Sequence, residues 1–196
     1  MRNPILEMVL KADIGVRLYA LNGLALSFAN EIEDSLFWAY WQTSGQAWEA
    51  AADEFYRHVR FAHKQEAVDT AVKARVAGED ARAWFDLIKR TQALLGKDSL
   101  RNLIGHNVVS TGLFQNNRWV GGAIELNMEI RQFVTQKREM AETGRRAKIS
   151  VTEDALADYC QSLIALYLDL ESFLAGPLQL DPKHPGRYSA AYWGRQ

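Results

Sequence analysis

The densest concentration of reactive side chains is the segment KDSLRNLIGHN, residues 97–107, in which Arg101, Asn102 and His106 set a guanidinium, an amide and an imidazole within six positions. An imidazole with an unperturbed pKa of about 6.5 can take and return a proton at neutral pH. A guanidinium is always charged and can fork onto two phosphate oxygens. These groups suit cleavage of RNA, which carries its own nucleophile, the 2′-hydroxyl, and needs only proton transfer and stabilisation of a crowded phosphorane. Asn102 and His106 are four apart and share a helix face, where the amide can orient the imidazole.

Chance accounts for an Arg followed directly by Asn, Asp or His and then a His at this spacing only about 0.04 times in a chain of this composition, or about 0.1 times when other spacings are allowed. The geometry is demanding, because five residues at about 100° each set Arg101 and His106 roughly 140° apart on an ideal helix. Three solutions are open: Gly105 ends the helix and swings His106 round, the long Arg101 side chain wraps back, or the working pair comes from two subunits. A structural reading is also open, in which Leu103 and Ile104 face the core, Arg101 pairs with a nearby carboxylate and His106 closes a helix end.

The motif and its setting resemble the Arg-polar-x-x-x-His motif of the HEPN superfamily, helical domains that include abortive-infection and toxin ribonucleases. The helical resemblance spans about residues 25 to 175, and the six motif residues are its specific part. It implies a HEPN-like bundle, a homodimer whose two motifs face one cleft, and metal-independent RNA cleavage, with Arg101, Asn102 and His106 as catalytic residues and no cofactor. A second implication is a HEPN-like bundle without catalysis that partners an antitoxin or a nucleotidyltransferase. The near-neutral charge and the 90 residues after the motif depart from compact family members.

Other chemistry is sparse. Neither a Gly-x-x-x-x-Gly-Lys phosphate loop nor a dinucleotide fingerprint is present. One cysteine and four histidines cannot make the usual structural zinc set, and Glu54 with His58 misses the Glu-x-x-His spacing of di-iron bundles, so the expectation is no metal. His58 and His63, five apart, are expected on different sides of a helix as surface or partly packed imidazoles. Cys160, followed by Leu163, Ile164 and Leu166, reads as a buried inert thiol. Six cations from Arg131 to Lys148 face two glutamates; Arg145, Arg146 and Lys148 are the candidate RNA-binding residues, and a basic helix end followed by a solvated loop explains the run equally well. Phe37, Trp38, Tyr40, Trp41, Trp48, Phe55 and Tyr56 are expected to form the core and dimer seam of two antiparallel helices rather than a base-stacking surface.

The elements that carry these residues are expected to be helical. The four prolines are Pro4, Pro177, Pro182 and Pro185, which leaves residues 5–176 free to form long helices. Apolar residues recur at three and four, as in Leu163, Leu166, Leu170 and Leu174, or Trp84, Leu87 and Ile88. Turn signals divide the chain into helices near 5–43, 46–76, 79–95, 98–106, 120–142 and 151–175, with Gly15, Gly23 or Asn30 able to split the first and with residues 108–120 the one strand-like stretch. The expected architecture is all-α, an up-and-down bundle of about five to six helices over residues 1–176, with residues 177–196 an irregular tail packed on it.

Composition is that of an ordinary globular chain: 196 residues, 48% apolar, 24% charged, net charge -1. Disorder and a disulfide scaffold are excluded, and no global field draws the chain to nucleic acid or an anionic membrane, so any anion site must be local. The most apolar stretch, Ile14 to Phe28, is shorter than a bilayer requires, and no signal-peptide pattern opens the chain. With one unpaired cysteine, a cytoplasmic protein is expected.

Overall fold

A computed structural model describes residues 3–96, 99–105, 114–115, 118–119, 123–125 and 150–180. The described chain is an all-α bundle of helices α1 (Pro4–Leu10), α2 (Ile14–Ser44), α3 (Trp48–Arg57), α4 (Phe61–Lys73), α5 (Gly78–Leu95), α6 (Leu100–Gly105) and α7 (Glu153–Ala175). Four short strands pair in two antiparallel ladders, β1 (Phe114–Gln115) with β2 (Arg118–Trp119) and β3 (Ala123–Glu125) with β4 (Ser150–Thr152). The first ladder falls in the strand-like stretch. The second corrects the helix expected over 120–142: its described residues 123–125 are strand, and the rest lies outside the described residues.

The bundle is organised on α2 and α7. Leu18, Leu21, Ala25, Ala29, Ile32 and Leu36 form the buried stripe of α2 at helical spacing. Leu156, Cys160, Leu163, Leu170 and Leu174 supply the buried face of α7 that packs along it. Trp84 and Leu87 bring α5 into the same core, where the Trp84 ring lies 5.4 Å from that of Phe173 and its indole N–H donates to Asp69 at 3.0 Å. After α7, Leu178 and Leu180 pack on this core, the backbone N–H of Leu180 donating to the carbonyl of Leu174 at 2.9 Å; residues 181–196 lie outside the described residues.

Local chemistry explains the helix ends. Pro4 occupies the first turn of α1, where a missing N–H costs nothing, and the Asn3 side chain accepts from the N–H of Ile5. Gly45 terminates α2 in the left-handed region at φ 73°, the conformation that favours glycine. The long first helix expected from sequence does break, but at Lys11 to Asp13; α2 then runs 31 residues through both Gly23 and Asn30. Arg17 secures the joint, donating to the carbonyl of Leu10 at 2.9 Å and pairing with Glu153 of α7 at 2.8 Å.

The expected helix 46–76 is two helices, with His58 and Arg60 in extended backbone between them. No glycine or proline marks this break. Its cause is phase: at about 100° per residue, the buried stripe of α3 (Ala51, Phe55) and that of α4 (Lys64, Gln65, Val68, Val72) are offset by roughly 100°, so one straight helix could not bury both.

Candidate functional site

The motif segment is anchored from its backbone outward. Gly96 caps α5, its N–H donating to the carbonyl of Gln92 at 2.9 Å; a Cβ there would lie 2.3 Å from that same oxygen, so the close approach needs glycine. The carbonyl of Gly96 accepts from the backbone N–H of Ser99 and from the Asn102 side-chain amide, both at 3.0 Å. Asn102 thus ties the start of α6 to the end of α5. Ile104 is buried, and Gly105 lies against α2, where its Cβ would meet Leu26 at 3.6 Å.

Arg101 is held at both ends. Its backbone N–H donates to the Tyr159 hydroxyl, which in turn donates to the carbonyl of Leu94 at 2.6 Å. Burial pushes the Tyr159 phenol up to about 12, so it stays protonated and keeps this bridge between α5, α6 and α7. The Arg101 guanidinium reaches Glu33 of α2 at 3.8 Å, and its side chain remains 31% exposed. The other oxygen of Glu33 pairs with Lys64 of α4, whose ammonium lies over the rings of Phe55 and Tyr56 at 5.3 and 4.9 Å. The Tyr56 hydroxyl donates to Asp34 at 3.2 Å. Four helices therefore contribute to one chain of contacts, Arg101–Glu33–Lys64 with Tyr56–Asp34 beside it.

The structure brings Arg101 and Asn102 to the head of α6, while His106, Arg145, Arg146 and Lys148 lie outside the described residues. Sequence reasoning missed Glu33, Lys64 and Tyr159. A signal for Lys64 existed, since it precedes Val68 and Val72 at intervals of four and so occupies a core-facing position. Nothing local marked Glu33 or Tyr159, whose roles arise from contacts between distant segments.

A second cluster lies where α3 turns into α4, and it corrects the expectation that His58 and His63 diverge. Their rings meet edge to face, 5.7 Å between centres and 77° between planes. They line a groove of about 380 Å3 with Tyr40, Glu54, Glu66 and Thr70. Gln46 donates to Glu54 at 2.8 Å, and the Tyr40 hydroxyl also bonds it; these bonds hold the Glu54 carboxyl below its ordinary value, helped by nearby His58 and Arg57. Burial and the Glu54 carboxylate push the Tyr40 phenol up to about 12. Among the described residues, no three His, Cys, Asp or Glu side chains converge as a ready metal cage.

The remaining candidates are core. Cys160 is buried, its thiol donating to the carbonyl of Leu21 at 3.2 Å, and burial pushes its pKa up to about 12, so it is no nucleophile. Phe37, Trp38, Tyr40 and Phe55 are buried, and Phe37 alone touches Trp48, Phe55 and Tyr56 with ring centres 4.7 to 5.4 Å apart. These rings fasten α3 to α2; Phe37, Trp38, Tyr40 and Phe55 are core as expected, whereas Trp48 and Tyr56 remain nearly half exposed at its edge. No described helix is long and apolar enough to cross a membrane. Comparison of the chain with protein-family models, curated proteins and solved structures gives no match.

Proposed function

We propose that this chain is a HEPN-type ribonuclease of defence or toxin type that cleaves RNA without a metal ion, at a site shared by two copies. The observation that carries this reading is the state of Arg101: its backbone is pinned to α5 and α7 through Tyr159, while its guanidinium stays about one third exposed and meets Glu33 at a separation longer than a hydrogen bond. A phosphate oxygen at ordinary hydrogen-bond distance competes well with such a contact. In the proposed reaction the substrate 2′-oxygen attacks phosphorus and the 5′-oxygen leaves. His106 serves as general acid or base, Asn102 orients it, and Arg101 holds the non-bridging oxygens. Arg145, Arg146 and Lys148 would track the backbone of the RNA. A cytoplasmic location accords with the single buried cysteine.

The test is incubation of purified protein with end-labelled RNA in the presence of chelator, for wild type, Arg101→Ala and His106→Ala. The expected result is 2′,3′-cyclic phosphate ends from wild type and none from either variant. Chelator-sensitive activity, or activity indifferent to both substitutions, overturns it.

A second reading is favoured by Asn102, whose amide is committed to the carbonyl of Gly96 and thereby to the α5–α6 turn. It makes the chain a non-catalytic HEPN-like bundle that binds and regulates a toxin–antitoxin or nucleotidyltransferase partner. Absence of cleavage by wild type, with a folded protein, supports this reading over the first.

A further inference from the structure

The groove between α3 and α4 combines two imidazoles with two carboxylates, and neither the motif nor the proposed cleavage uses any of them. His58 is the residue at which α3 ends, and His63 lies in the first turn of α4. The extended backbone between them turns α4 back so that the two rings face one space, 5.7 Å between centres. Two imidazoles on one tetrahedral ion, at metal–nitrogen distances of about 2.0–2.1 Å, set their ring centres roughly 5 Å apart. The observed separation lies within about 1 Å of that value. Because the rings now meet edge to face at 77°, binding requires the imidazoles to rotate until one nitrogen of each aims at the same point.

We propose that this groove binds a divalent transition-metal ion of the zinc, nickel or copper class, with His58 and His63 as its nitrogen ligands. The chemistry of the surroundings selects the ligand class. Glu54 and Glu66 line the groove and disfavour an anion there. Imidazole donors suit zinc, nickel and copper, whereas magnesium and calcium prefer a shell of oxygens. Glu66 lies three residues after His63 on α4 and so shares its side of the helix. Glu54 lies four residues before His58 on α3, its carboxylate fixed by Gln46 and Tyr40, which orients a negative charge beside the imidazole in the manner of an outer-shell partner. As the side chains stand, no third protein donor among the described residues converges with the imidazoles. Water, or a rotated Glu54 or Glu66, completes the coordination.

The site lies on α3 and α4 and uses none of Arg101, Asn102 and His106, so it stands or falls independently of RNA cleavage. The experiment is calorimetric titration of tag-free protein with Zn2+ alone, alongside Cu2+ paramagnetic resonance to count coordinated nitrogens. The expected result is one ion per chain, two imidazole nitrogens in the Cu2+ spectrum, and a loss of roughly a hundredfold in affinity for His58→Gln and for His63→Gln. Glu54→Gln should cost about tenfold. The variant carrying His106→Gln and His184→Gln, the two other histidines, should bind as wild type, and circular dichroism should report unchanged helicity for every variant. Absence of saturable binding by wild type, or affinity that His58→Gln and His63→Gln leave within about twofold, overturns the proposal. Binding that follows His106 or His184 instead overturns it equally.

Discussion

The imidazoles of His58 and His63 meet edge to face across the turn between α3 and α4, although five residues of continuous helix would splay them. The meeting is a consequence of packing elsewhere. Phe55 must point into the aromatic cluster on α2, and Val68 and Val72 must point into the core between α2 and α5, and these directions cannot share one helical phase. The chain breaks between them, leaving Val59 almost wholly exposed at the apex.

The Glu33–Lys64 pair, largely enclosed by the rings of Phe55 and Tyr56, should be costly to break and cheap to replace. Lys64→Met alone should destabilise by about 2–3 kcal/mol, below the full cost of an orphaned buried charge because Arg101 still faces Glu33. The double variant Glu33→Gln, Lys64→Met should recover most of that loss. Urea unfolding of the four proteins of this cycle checks it, and additive losses would contradict the coupling.

Arg101 separates function from stability. Its pairing with Glu33 is long and partly exposed, so Arg101→Ala should lower stability by less than about 1 kcal/mol. The same substitution should abolish RNA cleavage. A large loss of thermal stability in this variant would show that the guanidinium is chiefly structural.

Two carboxyls should respond to pH with opposite signs. Burial, then repulsion from Asp34 and Glu171, raises the Glu31 carboxyl above its ordinary value, so the folded state favours its protonated form. That contribution is present below the unfolded value and lost as pH rises through the folded one. Glu31→Gln should therefore stabilise at pH 7 by less than about 1 kcal/mol, with the gain fading near pH 4. Glu54 is lowered by its bonds from Gln46 and Tyr40, so its contribution is present above the unfolded value and lost as pH falls through the folded one. Glu54→Gln should destabilise at pH 7 and not at pH 3. Melting temperatures across pH 3–8 read both signs.

Gly45 has open space around it, so its replacement tests backbone conformation alone. At φ 73°, Gly45→Ala should cost about 1 kcal/mol, and Gly45→Asn less, because asparagine tolerates the left-handed region. Equal stability of the alanine variant would contradict the assigned cap.

Trp84 is fully buried and hydrogen-bonded to Asp69. Trp84→Ala should destabilise by about 3–5 kcal/mol, and Trp84→Phe by less, since the ring contact with Phe173 survives while the Asp69 bond is lost. Denaturant midpoints measure the difference.

Much of the bundle was legible along the chain because helical period, glycine and proline act over a few residues. The proline-free span, the end of α2 at Gly45, the buried stripe from Leu163 to Leu174 and the burial of Trp84 all follow from such local rules. Only the tertiary structure decided that α2 passes unbroken through Gly23 and Asn30, that α3 and α4 part without a breaker residue, and that Glu33 bridges Lys64 and Arg101. Each of these depends on which side of a helix must face a partner dozens of residues away. Local propensity differs by fractions of a kcal/mol per residue, whereas burying one large side chain is worth about 1.5–3 kcal/mol, so the distant contact sets the outcome.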